Sequence, residues 1–209
     1  MSQVIDARIA DNSRVFFIKG DKTAIVDTGA PGNERNILRA LKDAGIPREN
    51  VSAIIITHTH WDHDGSVSGL KAALGVPVIA GWPDAEYLES GENAPAMNFS
   101  GDKACARGPK VKGVKTDVIV RDDMDLHAHG IDAKVFTTPG HTAGSLSLLA
   151  SNGDCTTGDF LASIYSGEED VIKRSLKKLA ENGAKRFCPS HGRDVDVEAL
   201  LKTVSTGRE

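Results

Sequence analysis

The run Ala53-Ile54-Ile55-Ile56 ends in Thr57-His58-Thr59-His60-Trp61-Asp62-His63-Asp64, closed by Gly65. Its apolar, largely β-branched residues read as a buried strand. Three of the chain's seven histidines fall within the six positions 58–63. They sit where that strand ends and the chain turns toward its next element. In α/β sheets, ligands bind in the crevice outside the carboxyl ends of the strands.

Imidazole and carboxylate at such spacing point to metal. Neutral imidazole nitrogen and Asp oxygen are donors that Zn²⁺ accepts in sites keeping a position open for water. In an extended segment His58 and His60, two apart, point the same way. Asp62 and His63, just past the turn, can serve a second ion, and paired metals about 3.5–4 Å apart are common in hydrolases. The bland alternative is a solvated His-rich turn; the strand anchoring and the further donors downstream argue against it.

Length and composition narrow the rest. The 209 residues suggest one domain spanning 1–209. A chain of this size buries about 70% of its unfolded surface and needs no disulfide staple. With 40% hydrophobic and 26% charged residues it has the make-up of an ordinary water-soluble globule. The net charge of −4 without a basic run argues against nucleic acid as the main partner. Cys105, Cys155 and Cys188 are scattered and form no Cys-x-x-Cys pair, so no thiolate zinc site is indicated. The N-terminus lacks the pattern of a signal peptide and no apolar run reaches about 20 residues. A cytoplasmic setting without membrane association is the expectation.

Strands and helices mix along the whole chain, as in an α/β unit. Arg14 to Lys19 and Ala24 to Val26 read as a hairpin across Gly20-Asp21. A helix follows with Ile37, Leu38, Leu41 and Ala44 inward, Asn33 as its N-cap and Gly45 as its stop. Helices are expected from about Ser66 to Leu74, as a turn at Asp84 to Glu89, from Glu168 to Glu181, and from about Val197 after an Asp196 cap. Strands are expected at Val78–Ala80, Asp117–Val120, Leu126–His129, Ile131–Thr137, Ser145–Leu149, Asp154–Thr157 and Arg186–Cys188. Residues 91–116 are rich in Gly, Pro, Asn, Lys and Asp; so long a segment is usually functional or mobile, and we read it as a flap beside the site. A surface insertion without function is the competing reading.

Three more candidates share one setting, directly after an apolar strand and in or beside a glycine turn: His141 in Pro-Gly-His-Thr, Asp159 in Thr-Gly-Asp, and His191 in Pro-Ser-His-Gly. A lone histidine there is usually bland; several arriving with the same grammar are not. Thr57 to Gly65 resembles the T-H-x-H-x-D-H-x-x-G signature of the metallo-β-lactamase-fold hydrolases, and Asp27-Thr28-Gly29 together with the three later motifs matches that family's other landmarks in order. One departure lies outside the donors: Gly65 follows Asp64 directly, where many members carry glycine one place later.

The resemblance implies an αββα sandwich of two mixed sheets, with the site at one edge. It implies His58, His60 and His141 on one metal, Asp62, His63 and His191 on a second, and Asp159 bridging, with two Zn²⁺ per chain expected and Fe or Mn as alternatives. Asp27 would accept a ligand's spare N–H; a plain turn-former is the equal alternative. A hydroxide shared by two cations would be the nucleophile, with Asp62 or Asp159 orienting it. Substrates would be small-molecule esters, thioesters or lactones, as in the glyoxalase II-like and lactonase branches. Lactamase activity is disfavoured because both Asp62 and His63 are present. The rivals are a mononuclear iron oxidoreductase of the persulfide dioxygenase type, a phosphodiesterase or nuclease, and a non-enzymatic metal-binding module. His127 and His129 lie outside the family pattern, Tyr165 and Lys173 carry no assignment, and Cys155 and Cys188 read as small buried residues. A homodimer is the base-rate expectation.

Overall fold

The computed structural model describes residues 1–9, 13–97, 108–161 and 169–205. The first half contributes β1 (Gln3–Asp6), β2 (Phe16–Lys19), β3 (Thr23–Val26), α1 (Glu34–Asp43), β4 (Val51–Ile56), α2 (Trp61–Asp64), α3 (Val67–Leu74), β5 (Val78–Gly81), α4 (Asp84–Ser90) and β6 (Val118–Val120). The second contributes β7 (Met124–Asp125), β8 (Ala133–Thr137), β9 (Leu146–Ala150), β10 (Asp154–Thr156), α5 (Glu169–Glu181), β11 (Arg186–Cys188), β12 (Val195–Asp196) and α6 (Val197–Ser205). Each half forms one six-stranded sheet, ordered β1-β2-β3-β4-β5-β6 and β12-β11-β10-β9-β8-β7. Both sheets are mixed: β3, β4, β5 and β6 run parallel in the first, and β10 and β11 in the second.

The period of two along each strand builds the layers. Phe16, Ile18, Ala53 and Ile55 face inward and meet Val135, Leu146 and Leu148 of the other sheet. Phe17, Ile54 and Ile56 face outward and are covered by Ile37 and Leu41 of α1, Val67 and Leu70 of α3, and Leu88 of α4. Phe136, Leu149 and Phe187 on the outside of the second sheet are covered by Ile172, Leu176 and Leu179 of α5. The result is helix, sheet, sheet, helix. Helix α1 stops as expected: Gly45 adopts φ 64°, Ile46 N–H reaches Leu41 O at 2.8 Å, and Gly45 N–H reaches Lys42 O at 3.0 Å. Asp196 caps α6, accepting the Ala199 N–H at 2.8 Å.

Some expectations fail, each for a local reason. His127–His129 is a 3-10 turn, not strand, because Asp125 Oδ1 takes the His127 N–H at 2.8 Å and Gly130 turns the chain at φ 71°. Asn33 occupies the N-cap position of α1 without capping through its side chain, whose Oδ1 accepts from Asn36 Nδ2 instead. The short strands β1 and β12 were not foreseen; four and two residues are too few for a readable alternation. Among the described residues no helix is long and apolar enough to cross a membrane.

Candidate metal centre

β4 delivers Thr57 to His60 at its carboxyl end, and α2 carries Asp62 and His63. The turn between β8 and β9 presents His141, the loop after β10 presents Asp159, and the loop after β11 presents His191. All seven side chains converge. His58, His60 and His141 form one group, Asp62, His63 and His191 another, and His58, His63 and Asp159 a third between them, the donor atoms of each lying within 4.8 Å of one another. Asp159 Oδ2 is 3.4 Å from His191 Nε2, 3.5 Å from His63 Nε2, 3.8 Å from His141 Nε2 and 3.9 Å from His58 Nε2.

Hydrogen bonds on the far side of the rings fix which nitrogen looks inward. Asp27 Oδ2 accepts the N–H of His63 Nδ1 at 3.0 Å, leaving Nε2 toward the centre. It also accepts the Thr57 hydroxyl at 2.8 Å, so Thr57 Oγ1 takes the N–H of His58 Nδ1 at 3.1 Å and turns His58 Nε2 inward. The Ala94 carbonyl can only accept, so His60 donates from Nε2 at 3.0 Å and faces the centre with Nδ1, 3.1 Å from His141 Nε2. Asp27 is fully buried at φ 60° and takes the Thr57 N–H through Oδ1 at 2.7 Å. From the turn after β3 it therefore holds the His63 ring as well as Thr57.

The electrostatics divide the cluster. Burial holds the His58 and His60 imidazoles below their usual range and brings His141 down to about 4, so these three are neutral donors. Hydrogen bonds to Asp159 and Asp62 push His191 up to about 9. Burial alone would lower His63, but the Asp159 and Asp27 carboxylates raise it well above its usual range. Burial would likewise raise Asp159, yet the His63 charge and the His191 hydrogen bond hold it far below the usual carboxylate range.

A cation fits this set. His58 Nε2, His63 Nε2 and Asp159 Oδ1 are buried without a hydrogen-bond partner among the described residues. Buried polar atoms left bare are costly, and these belong to one donor cluster.

Residues 93–97, in the first described stretch of the 91–116 segment, lie against the site. Ala94 N–H bonds Thr59 O at 2.8 Å, Met97 N–H bonds His141 O at 2.8 Å, and Asn93 Oδ1 accepts the Trp61 N–H at 2.8 Å. Residues 98–107 and Tyr165 are outside the described residues. His127 pairs with Asp125 and Asp132 at the surface, away from this cluster. Cys155 and Cys188 are free and buried, and burial raises both thiols.

The sequence profile of the Metallo-beta-lactamase superfamily matches residues 8–191. The chain belongs to that superfamily. Similar proteins include the "Probable metallo-hydrolase YqgX" of Bacillus subtilis, 28% identical over 78% of this chain and 72% of its own length. The "Probable metallo-hydrolase MJ0888" of Methanocaldococcus jannaschii is 24% identical over 87% and 88%. The hydroxyacylglutathione hydrolase of Alkalilimnicola ehrlichii is 30% identical over 75% of this chain, which spans only 51% of that enzyme's length. Among solved structures, the Rm3 metallo-beta-lactamase superimposes with a TM-score of 0.69 at 21% identity, over 94% of this chain and 78% of that one; at that identity the likeness concerns the fold.

Sequence reasoning missed Asp84, which was read only as the start of a helical turn. It is a buried carboxylate bonded to loops on both sides of the three-histidine group. No motif marks it, because its partners lie 25, 58 and 60 residues away.

Proposed function

We propose that this chain is a dinuclear metal-dependent hydrolase acting on a small-molecule ester, thioester or lactone. The observation that carries the reading is the position of Asp159 Oδ2, within 3.4–3.9 Å of imidazole nitrogens from both triads. His58, His60 and His141 would hold one ion and Asp62, His63 and His191 the other, with Asp159 between; Zn²⁺ suits this N/O set, and Fe or Mn are the alternatives. Bound cations supply a nucleophile by lowering the pKa of water from about 15.7 to roughly 7, and they polarise the scissile carbonyl.

The chain's own groups do the rest. Asp27 and Thr57 keep His63 and His58 in one tautomer, and the Ala94 carbonyl does so for His60. Asp62 accepts from His191 at 3.3 Å and is partly open to solvent, as are Asp159 and, more so, His191. Asp62 or Asp159 would orient an incoming water and pass its proton outward. The resemblance to metallo-hydrolases and hydroxyacylglutathione hydrolases supports hydrolysis at a carbonyl centre.

A panel of esters, thioesters, lactones and phosphodiesters, run with Zn²⁺, Mn²⁺ and Fe²⁺ in parallel, tests the reading. Cleavage of a carboxylic substrate that chelation abolishes is expected. One iron per chain with oxygen uptake and no hydrolysis would overturn it, and cleavage confined to phosphodiesters would move the substrate class.

A further inference from the structure

Two buried carboxylates outside the donor set hold the loops of the centre; both bind the segment after β4, and each ties it to a different loop of the second half. Asp27 binds Thr57, His63 and Ser190, which borders His191. Asp84, 1% exposed on the first turn of α4, binds the same segment from its other side and reaches the turn between β8 and β9. Its Oδ2 accepts the backbone N–H of Thr59, between His58 and His60, at 3.0 Å, and the hydroxyl of Thr142, next to His141, at 2.8 Å. Its Oδ1 accepts the Gly144 N–H at 2.9 Å. The fit leaves no slack: a Cβ on Gly144 would come within 2.5 Å of Asp84 Oδ1.

We infer that Asp84 is a positioning residue for the three-histidine half of the centre, joining the His58/His60 loop to the His141 loop through one carboxylate. This rests on the dinuclear reading above. His58 and His60 arrive on one sheet and His141 on the other. Their donor atoms must keep one spacing across the sandwich for a cation to bind, and Asp84 supplies a rigid side-chain link across that gap. Backbone bonds from Ala94 and Met97 run alongside it. A carboxylate is required because all three partners donate. An amide would turn an N–H₂ group toward at least one N–H.

The test is metal affinity of the full chain, titrated with Zn²⁺ against a chromophoric chelator, with His141→Ala and His191→Ala identifying which binding step belongs to which half. Asp84→Ala is expected to weaken the step that His141→Ala removes by about 10–100-fold, leaving the step that His191→Ala removes unchanged. Asp84→Asn should behave like the alanine variant, whereas Thr142→Ser should match wild type and Thr142→Val should weaken the same step less severely. Should Asp84→Ala fail to fold, the two Thr142 variants decide the matter. Equal weakening of both steps, weakening of the His191 step alone, or a wild-type-like Asp84→Asn would overturn the inference while leaving the dinuclear reading standing. A wild type that takes one ion would overturn the dinuclear reading. Asp84 then keeps its role only if that ion is lost in His141→Ala and weakened in Asp84→Ala.

Discussion

Asp27 Oδ2 lies 3.0 Å from His63 Nδ1, and neither side chain is exposed to solvent. The pair sets the tautomer and the aim of His63, and a carboxylate behind a ligand imidazole also raises its basicity. Asp27→Asn keeps the shape and the left-handed φ of 60°, which asparagine tolerates, while removing the charge and turning an N–H₂ group toward the Thr57 or the His63 N–H. Activity of the metal-loaded protein should fall about 10–100-fold. Asp27→Ala should add a loss of stability on the order of 3–5 kcal/mol, the usual cost of removing one partner of a buried pair. Turnover and thermal unfolding, measured side by side, separate the two effects.

His60 lies outside the three apolar clusters that hold the layers together. His60→Ala should therefore abolish turnover with the fold retained. The variant leaves the Ala94 carbonyl without its imidazole donor, which costs about 1–3 kcal/mol and lowers Tm by a few degrees. Wild-type turnover in a folded His60→Ala protein would count against the assignment of the centre.

The first cluster was legible because it is local: strand, turn and four donors occupy a dozen residues, and chemistry at that spacing has few readings. His141, Asp159 and His191 were legible through a repeated setting, an apolar strand ending at a glycine turn, and the structure brings them to the same place. The helices were read from their apolar stripes, as with Ile172, Leu176 and Leu179. What escaped the sequence was short or non-local. β12 is two residues long and exists only as the antiparallel partner of β11. His127 to His129 alternates like a strand, yet one side-chain bond from Asp125 to the His127 N–H diverts it. Asp84 is read as an ordinary first-turn acid until Thr59, Thr142 and Gly144 are seen around it.

The metal-free protein should be most stable near pH 6.5. His141 is held at about 4 in the fold and returns to about 6.5 when unfolded, so the unfolded chain binds the extra proton between those values. Its contribution is complete above 6.5 and is lost as pH falls, roughly 3 kcal/mol by pH 4; buried His58 acts in the same direction. His191, raised to about 9, does the opposite: its stabilisation is complete below 6.5 and is lost as pH rises through 9. His63 follows the same sign. Urea unfolding after chelation, between pH 4 and 9, should trace a maximum. With Zn²⁺ added, the part of the alkaline fall that comes from His191 and His63 should disappear as cations take the place of those protons. A metal-free curve that rises steadily to pH 9 would contradict the protonated pair.

Asp64 stands apart from the donors beside it. Its side chain is 1% exposed and neither carboxylate oxygen has a hydrogen-bond partner among the described residues. Burial is the main reason its carboxyl is pushed up to about 8, although the charge of His63 works against the shift. The fold therefore keeps a proton that the unfolded chain gives up near pH 4. Between those values stability falls as pH rises, by up to about 1.4 kcal/mol per unit. Asp64→Asn removes the ionisation while keeping the shape of the side chain. In metal-free protein the variant and the wild type should unfold alike at pH 4, and the variant should be progressively the more stable toward pH 8. Denaturant midpoints across that range measure the gap directly. A gap that stays constant with pH would mean that Asp64 is ionised in the folded protein, held by a partner charge rather than isolated by burial.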